Sequence, residues 1–209
     1  SYFERYVPIF RKDYNNEEGA LLDLRMGAYE SQHKCLTCGQ GPEQCKPGHH
    51  GVIDLGFQAP KAPYIRQVAQ LLGITCENCG NMLKTKEEIL ISRPEFERSD
   101  AIDKLDNAYA FIIPSDIAKR SNAIQCSVCE TVQTFYYRPQ DSKTSIVRRA
   151  YGDNKNQEVN FSDVYRLLSR ISIETMEFLG MAYEATRLMS KYIVVTPNYM
   201  RKPIATWNG

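Results

Sequence analysis

Six of the seven cysteines in this 209-residue chain fall in Cys-x-x-Cys pairs: Cys35/Cys38, Cys76/Cys79 and Cys126/Cys129. The seventh, Cys45, stands four residues before His49 and five before His50. A Cys-x-x-Cys pair closes a tight knuckle that aims two sulfurs at one point, so it limits the possible folds more than any apolar pattern here. Cys35-x2-Cys38-x6-Cys45 with His49 or His50 makes one set of four. Cys76-x2-Cys79 and Cys126-x2-Cys129, with 46 residues between them, make another. All seven cysteines and one histidine are thereby used, as eight ligands for two ions.

Zinc takes four tetrahedral ligands and suits thiolate and imidazole. Both sets are closed and leave no position for a bound water, so two structural zinc ions are expected and no catalytic one. Disulfides explain the pattern less well, because seven is odd and no secretory signal opens the chain. A thioredoxin-like redox pair would account for one knuckle and not for three. His33, just outside the first loop, is read as a surface histidine.

Hydrophobic residues at 43% and charged residues at 24% describe a folded chain, large enough for one ordinary domain or two small ones. The formal net charge of +1 offers no global attraction to nucleic acid, so any such contact must come from local patches. No apolar run approaches the roughly 18 residues of a membrane span, so no membrane partner is expected. Unpaired cysteines point to an intracellular, reducing compartment. The chain opens on Ser1 and closes on Trp207-Asn208-Gly209 without a terminal signal, and is read as a segment of something longer.

Residues 1–34 show no clear period; Tyr2, Phe3, Tyr6 and Phe10 are available for packing, and Asn15-Asn16 and Gly19 read as turns. Residues 51–57 alternate as a short strand. After Pro63, Ile65, Val68, Ala69 and Leu72 repeat at helical spacing, with Gly73 as the expected stop. The charged stretch 84–106 reads as surface helix interrupted by Pro94; residues 80–106 hold five Lys/Arg against seven Asp/Glu, which makes a poor DNA face. Residues 108–113 and 131–137 read as strands, and 138–160 as a polar loop. A helix capped by Ser162 carries Val164, Leu167, Leu168 and Ile171; a second, capped by Ser172, carries Met176 and Leu179 and ends at Gly180. A further helix through Ala185 and Leu188 leads into a strand at 192–196. Over 134–170, seven Lys/Arg against four Asp/Glu make a local basic excess.

The residues around the knuckles carry a family resemblance. Asp23-Leu-Arg-Met-Gly27, Lys34-Cys-Leu-Thr-Cys38, Cys45-Lys-Pro-Gly-His49-His-Gly51 and Val52-Ile-Asp-Leu55 occur in that order. The string resembles the start of the largest subunit of multisubunit RNA polymerases of the eukaryotic, archaeal and large-DNA-virus type. Helix 64–72 running into Cys76-Glu-Asn-Cys79-Gly80 is similar to the family's next element. Leu168-Ser-Arg-Ile-Ser172, Phe178-Leu-Gly180 and Ile193-Val-Val-Thr-Pro197-Asn-Tyr-Met-Arg201-Lys-Pro203 resemble its later segments. The sequence departs from the pattern at Lys46, which puts three residues between Cys45 and His49 where the family usually has two. The tight closing pair Cys126/Cys129 and the short 80–125 insert look more like the compact viral enzymes.

The resemblance implies a mixed α+β fold: an irregular zinc-stabilised clamp with two structural zinc sites, short strands and a C-terminal helical segment. Residues 1–75 would be the first part of a clamp core, 76–160 a clamp head, and 161–209 the returning part of the core. It makes His49 the fourth ligand beside Cys35, Cys38 and Cys45, with Cys76, Cys79, Cys126 and Cys129 holding the second ion. It implies a clamp closing over template DNA and the DNA–RNA hybrid, next to the second-largest and smaller polymerase subunits. Lys119, Arg120, Arg138, Arg148 and Arg149 are the residues expected to face phosphate. The family's aspartate-rich magnesium loop of the NADFDGD type is missing from these residues, so nucleotidyl transfer and its Mg2+ belong to the remainder of such a subunit. The compartment would be the nucleus for a cellular eukaryotic enzyme, and host cytoplasm or virion for a viral one. A free-standing zinc-binding adaptor is the rival reading; it would share both Cys/His sets but leave the 162–203 helices and turn unexplained.

Overall fold

The computed structural model describes residues 6–113, 124–139, 145–149 and 156–201, in which the chain forms two compact units. Among the described residues, one unit joins 6–56 with 191–201, and the other lies within 57–190. The fold is mixed α+β, with two three-stranded sheets and five α-helices among the described residues.

The end-to-end unit is built on strands β1 (Val7–Pro8), β2 (Gly51–Pro60) and β6 (Met189–Val195), in the order β1-β2-β6. The boundary between the units falls inside β2 and β6. β1 runs parallel to β2, with Val7 opposite Gly51 and Pro8 opposite Val52. Val7, Ile9 and Met26 are its buried apolar cluster, flanked by Leu21, Ile53 and Val195. That is little apolar surface for the long connection between β1 and β2, whose regular structure is one 3-10 turn, Leu24–Met26. Polar ties supply the order instead. Asp23, 1% exposed, accepts from the backbone N–H groups of Gly19 (2.6 Å) and Arg25 (2.8 Å) and from the Arg25 guanidinium. Burial works against this carboxylate, but those donors, Arg25 first, hold its pKa below the usual value. Asn198, also 1% exposed, donates its amide to the carbonyls of Leu22, Asp23 and Gly27 at 3.2, 2.8 and 2.8 Å.

The middle unit has a conventional core. Helix α1 (Ile65–Ile74) is buried on nearly all sides and packs on α3 (Ala101–Ile112) and on strand β3 (Phe135–Tyr137). Gly73 does not stop α1, which runs on to Ile74; a Cβ there would sit 3.0 Å from the Tyr109 ring, so the glycine serves the close approach of α3. The strand expected at 108–113 is the end of α3. Its buried positions Leu105, Ala108 and Ile112 follow helical spacing, a period that a six-residue window cannot show. Helix α2 (Lys86–Ser92) opens on a reciprocal Thr85/Glu88 capping box. Residues 138–160, expected as loop, contain β4 (Val147–Arg149) and β5 (Gln157–Glu158), antiparallel in the order β3-β4-β5. Strands this short carry no alternation to read and are defined by pairing alone. Helix α4 (Phe161–Leu168) is capped by Asn160 rather than Ser162, and α5 (Ile173–Phe178) by Ser172 as expected. A 3-10 turn, Ala185–Leu188, replaces the last expected helix.

Candidate metal centres

The three Cys-x-x-Cys segments fold into the same knuckle. The first cysteine's carbonyl accepts the N–H four residues on: Gly39 to Cys35 at 2.8 Å, Gly80 to Cys76 at 2.9 Å, Glu130 to Cys126 at 2.9 Å. The first cysteine's N–H donates to the carbonyl five residues on, that of Gln40 (2.9 Å), Asn81 (2.7 Å) or Thr131 (3.1 Å). The fourth-on residue is left-handed each time, with φ of 72°, 76° and 58° at Gly39, Gly80 and Glu130. Glycine takes that conformation without cost and glutamate does not.

The knuckles bring together two sets of four: Cys35, Cys38, Cys45 and His49, and Cys76, Cys79, Cys126 and Cys129. In each set the ligand atoms all lie within 4.8 Å of one another. Sulfur–sulfur separations are 3.4 Å for Cys38–Cys45, 3.5 Å for Cys76–Cys129 and 3.7 Å for Cys79–Cys126. A disulfide would bring them to about 2.0 Å, and all seven are free. A tetrahedron with metal–sulfur bonds of about 2.3 Å has edges of about 3.8 Å, close to these separations. The donor chemistry and spacing therefore fit a tetrahedral thiophilic ion.

The first set adds an orphaned donor. His49 Nε2 is buried without a hydrogen-bond partner, a position that a metal ion would satisfy. The imidazole is nonetheless the leading cause that draws the Cys38 thiol down to about 6, followed by the Gln40 backbone. Burial, then the neighbouring thiols, push Cys45 up to about 12. In the second set Thr131 draws Cys129 down to about 6 while burial pushes Cys76 up to about 12. Burial penalises the charged form of Cys45 and Cys76, a penalty that a bound cation would offset.

The other two histidines stand apart from the clusters. His50 meets the Tyr6 ring edge-on at 6.1 Å, and His33 lies against Tyr29 at 5.3 Å. The Asp23–Gly27 segment supports the first cluster from below. Thr37 Oγ1 donates to the Arg25 carbonyl at 2.6 Å, Leu36 N to Leu24 O at 3.1 Å, and His49 N to Met26 O at 3.1 Å. A Cβ on Gly48 (φ 88°) would come within 2.9 Å of the Met26 carbonyl, so only glycine lets this return pass. In the second cluster Arg170, in the turn after α4, donates to the Glu77 carbonyl at 2.6 Å and fastens the first knuckle. Asn198 and Arg170 fall within segments that carry the family resemblance, but nothing in the sequence assigns either a role at the clusters. They lie far from the cysteines along the chain, and an Asn or Arg in isolation carries no spacing signal.

The candidate phosphate contacts divide. Lys119 and Arg120 lie outside the described residues. Arg149 is tied down, donating to the Tyr137 hydroxyl (3.1 Å) and Asn156 Oδ1 (2.7 Å) and standing over the Tyr137 ring. Arg148 is exposed and bonded to Gln157 at 3.2 Å. Arg138 is exposed at the edge of a cleft of about 550 Å³ shared with Arg66, Gln70 and Tyr109. No described helix is long and apolar enough to cross a membrane.

One Cys/His cluster and one four-cysteine cluster, each able to hold a metal ion, are set in a mixed α+β frame. Residues 7–209 match the family described as RNA polymerase Rpb1, domain 1, and the chain belongs to that family. It is 35% identical over 180 residues to the DNA-directed RNA polymerase subunit Rpo1N of Thermoplasma acidophilum, covering 86% of this chain and 20% of that protein. It is 29% identical over 182 residues to the DNA-directed RNA polymerase II subunit RPB1 of Euplotoides octocarinatus, covering 81% and 37%. The RPB1 homolog of African swine fever virus is 23% identical over 192 residues, covering 90% of this chain and 12% of its own. The chain thus spans about a fifth of the archaeal subunit.

Proposed function

We propose that this chain is the clamp part of the largest subunit of a DNA-directed RNA polymerase, closing over template DNA and the DNA–RNA hybrid during transcription. The match of residues 7–209 to domain 1 of that subunit carries the reading. Residues 1–75 and 161–209 would be the clamp core, and 76–160 the clamp head. Cys35, Cys38, Cys45 and His49 would hold one structural zinc, and Cys76, Cys79, Cys126 and Cys129 the other. The ions supply no reaction. They fix segments such as 24–50, whose apolar surface is too small to order them, so that basic side chains can meet phosphate without reading bases. Mg2+ and nucleotidyl transfer would belong to the rest of the subunit, and the partners would be the second-largest and smaller subunits. The compartment would be intracellular and reducing: nucleus, or host cytoplasm or virion. The adaptor reading has no observation of its own in its favour.

The zinc-loaded chain should bind duplex DNA weakly, without sequence preference, and with strong salt dependence. Reversing the exposed pair Arg138 and Arg148 to Glu should weaken binding and flatten the plot of log affinity against log salt by about 1–2. Arg149 is left alone because of its tie to Tyr137. Binding that ignores salt, or prefers one sequence, would count against a clamp surface.

A further inference from the structure

The four-cysteine cluster leans on one side chain outside it. Gln133 is 7% exposed, and its amide is used from both ends. Nε2 donates to Cys76 Sγ at 3.3 Å and to the Thr131 carbonyl at 2.8 Å, and Oε1 accepts from the Glu77 backbone N–H at 3.0 Å. Cys76 and Glu77 belong to one half-site and Thr131 to the other, so a single amide bridges knuckles with 46 residues between them along the chain. Its own backbone is pinned: Gln133 N donates to Ile124 O at 2.9 Å, and Gln125 bridges Val132 just before it.

The electrostatics give that bridge a use. Four thiolates around a divalent ion leave a net charge of about −2, and Cys76 is only 3% exposed, so water cannot spread its share. Its sulfur has three N–H donors. Asn78 N (3.3 Å) and Cys79 N (3.5 Å) come with the knuckle fold, whereas Gln133 Nε2 is supplied by a side chain. A hydrogen bond to a thiolate withdraws charge from the sulfur and stabilises its lone pair, the usual service of groups just outside a metal's ligands.

We infer that Gln133 is a positioning residue of the second metal centre, which sets the register of its two half-sites and tempers the donor strength of Cys76. The inference rests on the zinc reading above. Gln133→Met keeps the volume and removes the three side-chain hydrogen bonds. Gln133→Glu keeps the acceptor for Glu77 but loses the donor and adds a negative charge beside the thiolates. Wild type and both variants, as the whole chain, are loaded with zinc and mixed with a chromophoric chelator, and then loaded with Co2+ for absorption spectra. Wild type should hold two zinc ions; if it does not, the zinc reading itself fails. Gln133→Met should release one zinc about 10–100-fold faster and leave the other unchanged, and Gln133→Glu should be faster still. The sulfur-to-cobalt charge-transfer band should move to longer wavelength in the Met variant, because the lone pair has lost its N–H. A role in mere packing would not move that band. Wild-type release rates with an unshifted band would overturn the inference while leaving the zinc reading intact. So would equal loosening of both ions, or loss of folding in both variants, since either would assign Gln133 to the core.

Discussion

The three knuckles amount to an experiment on one turn in three surroundings. Gly39, Gly80 and Glu130 share a left-handed backbone, yet an added Cβ meets nothing within 4 Å at Gly39 and lies 2.4 Å from the Arg170 carbonyl oxygen at Gly80. Gly39→Ala should therefore cost the left-handed strain, about 1–2 kcal/mol, less the stiffening of the unfolded chain, a net loss of about 0.5–1 kcal/mol. Gly80→Ala adds overpacking against backbone that also anchors Glu77 through Arg170, a further ~1–3 kcal/mol. Its total should be about 1.5–4 kcal/mol. Glu130→Gly runs the other way. It removes the strain but gives the unfolded chain more freedom, so a net gain of about 0.5–1 kcal/mol is expected. Urea titrations of the zinc-loaded chain, with each site followed by release of its zinc to a chelator, give the three differences. If Gly39→Ala proves as damaging as Gly80→Ala, or Glu130→Gly destabilises, the shared-turn argument is wrong.

Three further outcomes follow from the same geometry. His49→Gln should lose or loosen one zinc by elemental analysis, while His50→Gln and His33→Gln keep two; loss from the His50 variant would mean that Lys46 shifts the register of the loop. Chelation should strip amide-exchange protection from residues 20–50, which rest on a cluster of Val7, Ile9 and Met26, before it costs the middle unit its helical circular dichroism. Simultaneous loss would show that the middle core cannot stand without its ion. Asn198→Ala takes the donor from the buried Leu22 and Gly27 carbonyls and one of two donors from the Asp23 carbonyl, and should destabilise the end-to-end unit by about 2–4 kcal/mol. An effect under about 0.5 kcal/mol would show that water replaces the amide.

The sequence alone picked out the two candidate metal-ligand sets, because a knuckle is a local device: in all three Cys-x-x-Cys segments here, a left-handed residue behind the pair closes it on its own hydrogen bonds. Helix 65–74 and the Ser172 cap were legible for the same reason, as their signals lie within a turn or two. By residues alone the histidine stayed open between His49 and His50. The resemblance chose His49, and the fold places His49 in the cluster and turns His50 to Tyr6. The helix at 101–112, misread as a strand over 108–113, shows how a short window loses a period that the whole element keeps. Only tertiary structure could find Asn198, Arg170 and Gln133, or the pairing that makes strands of 147–149 and 157–158. Their partners lie far away in sequence or in strands too short to pattern. A buried hydrogen bond depends on what burial places opposite each group, and no spacing along the chain encodes that.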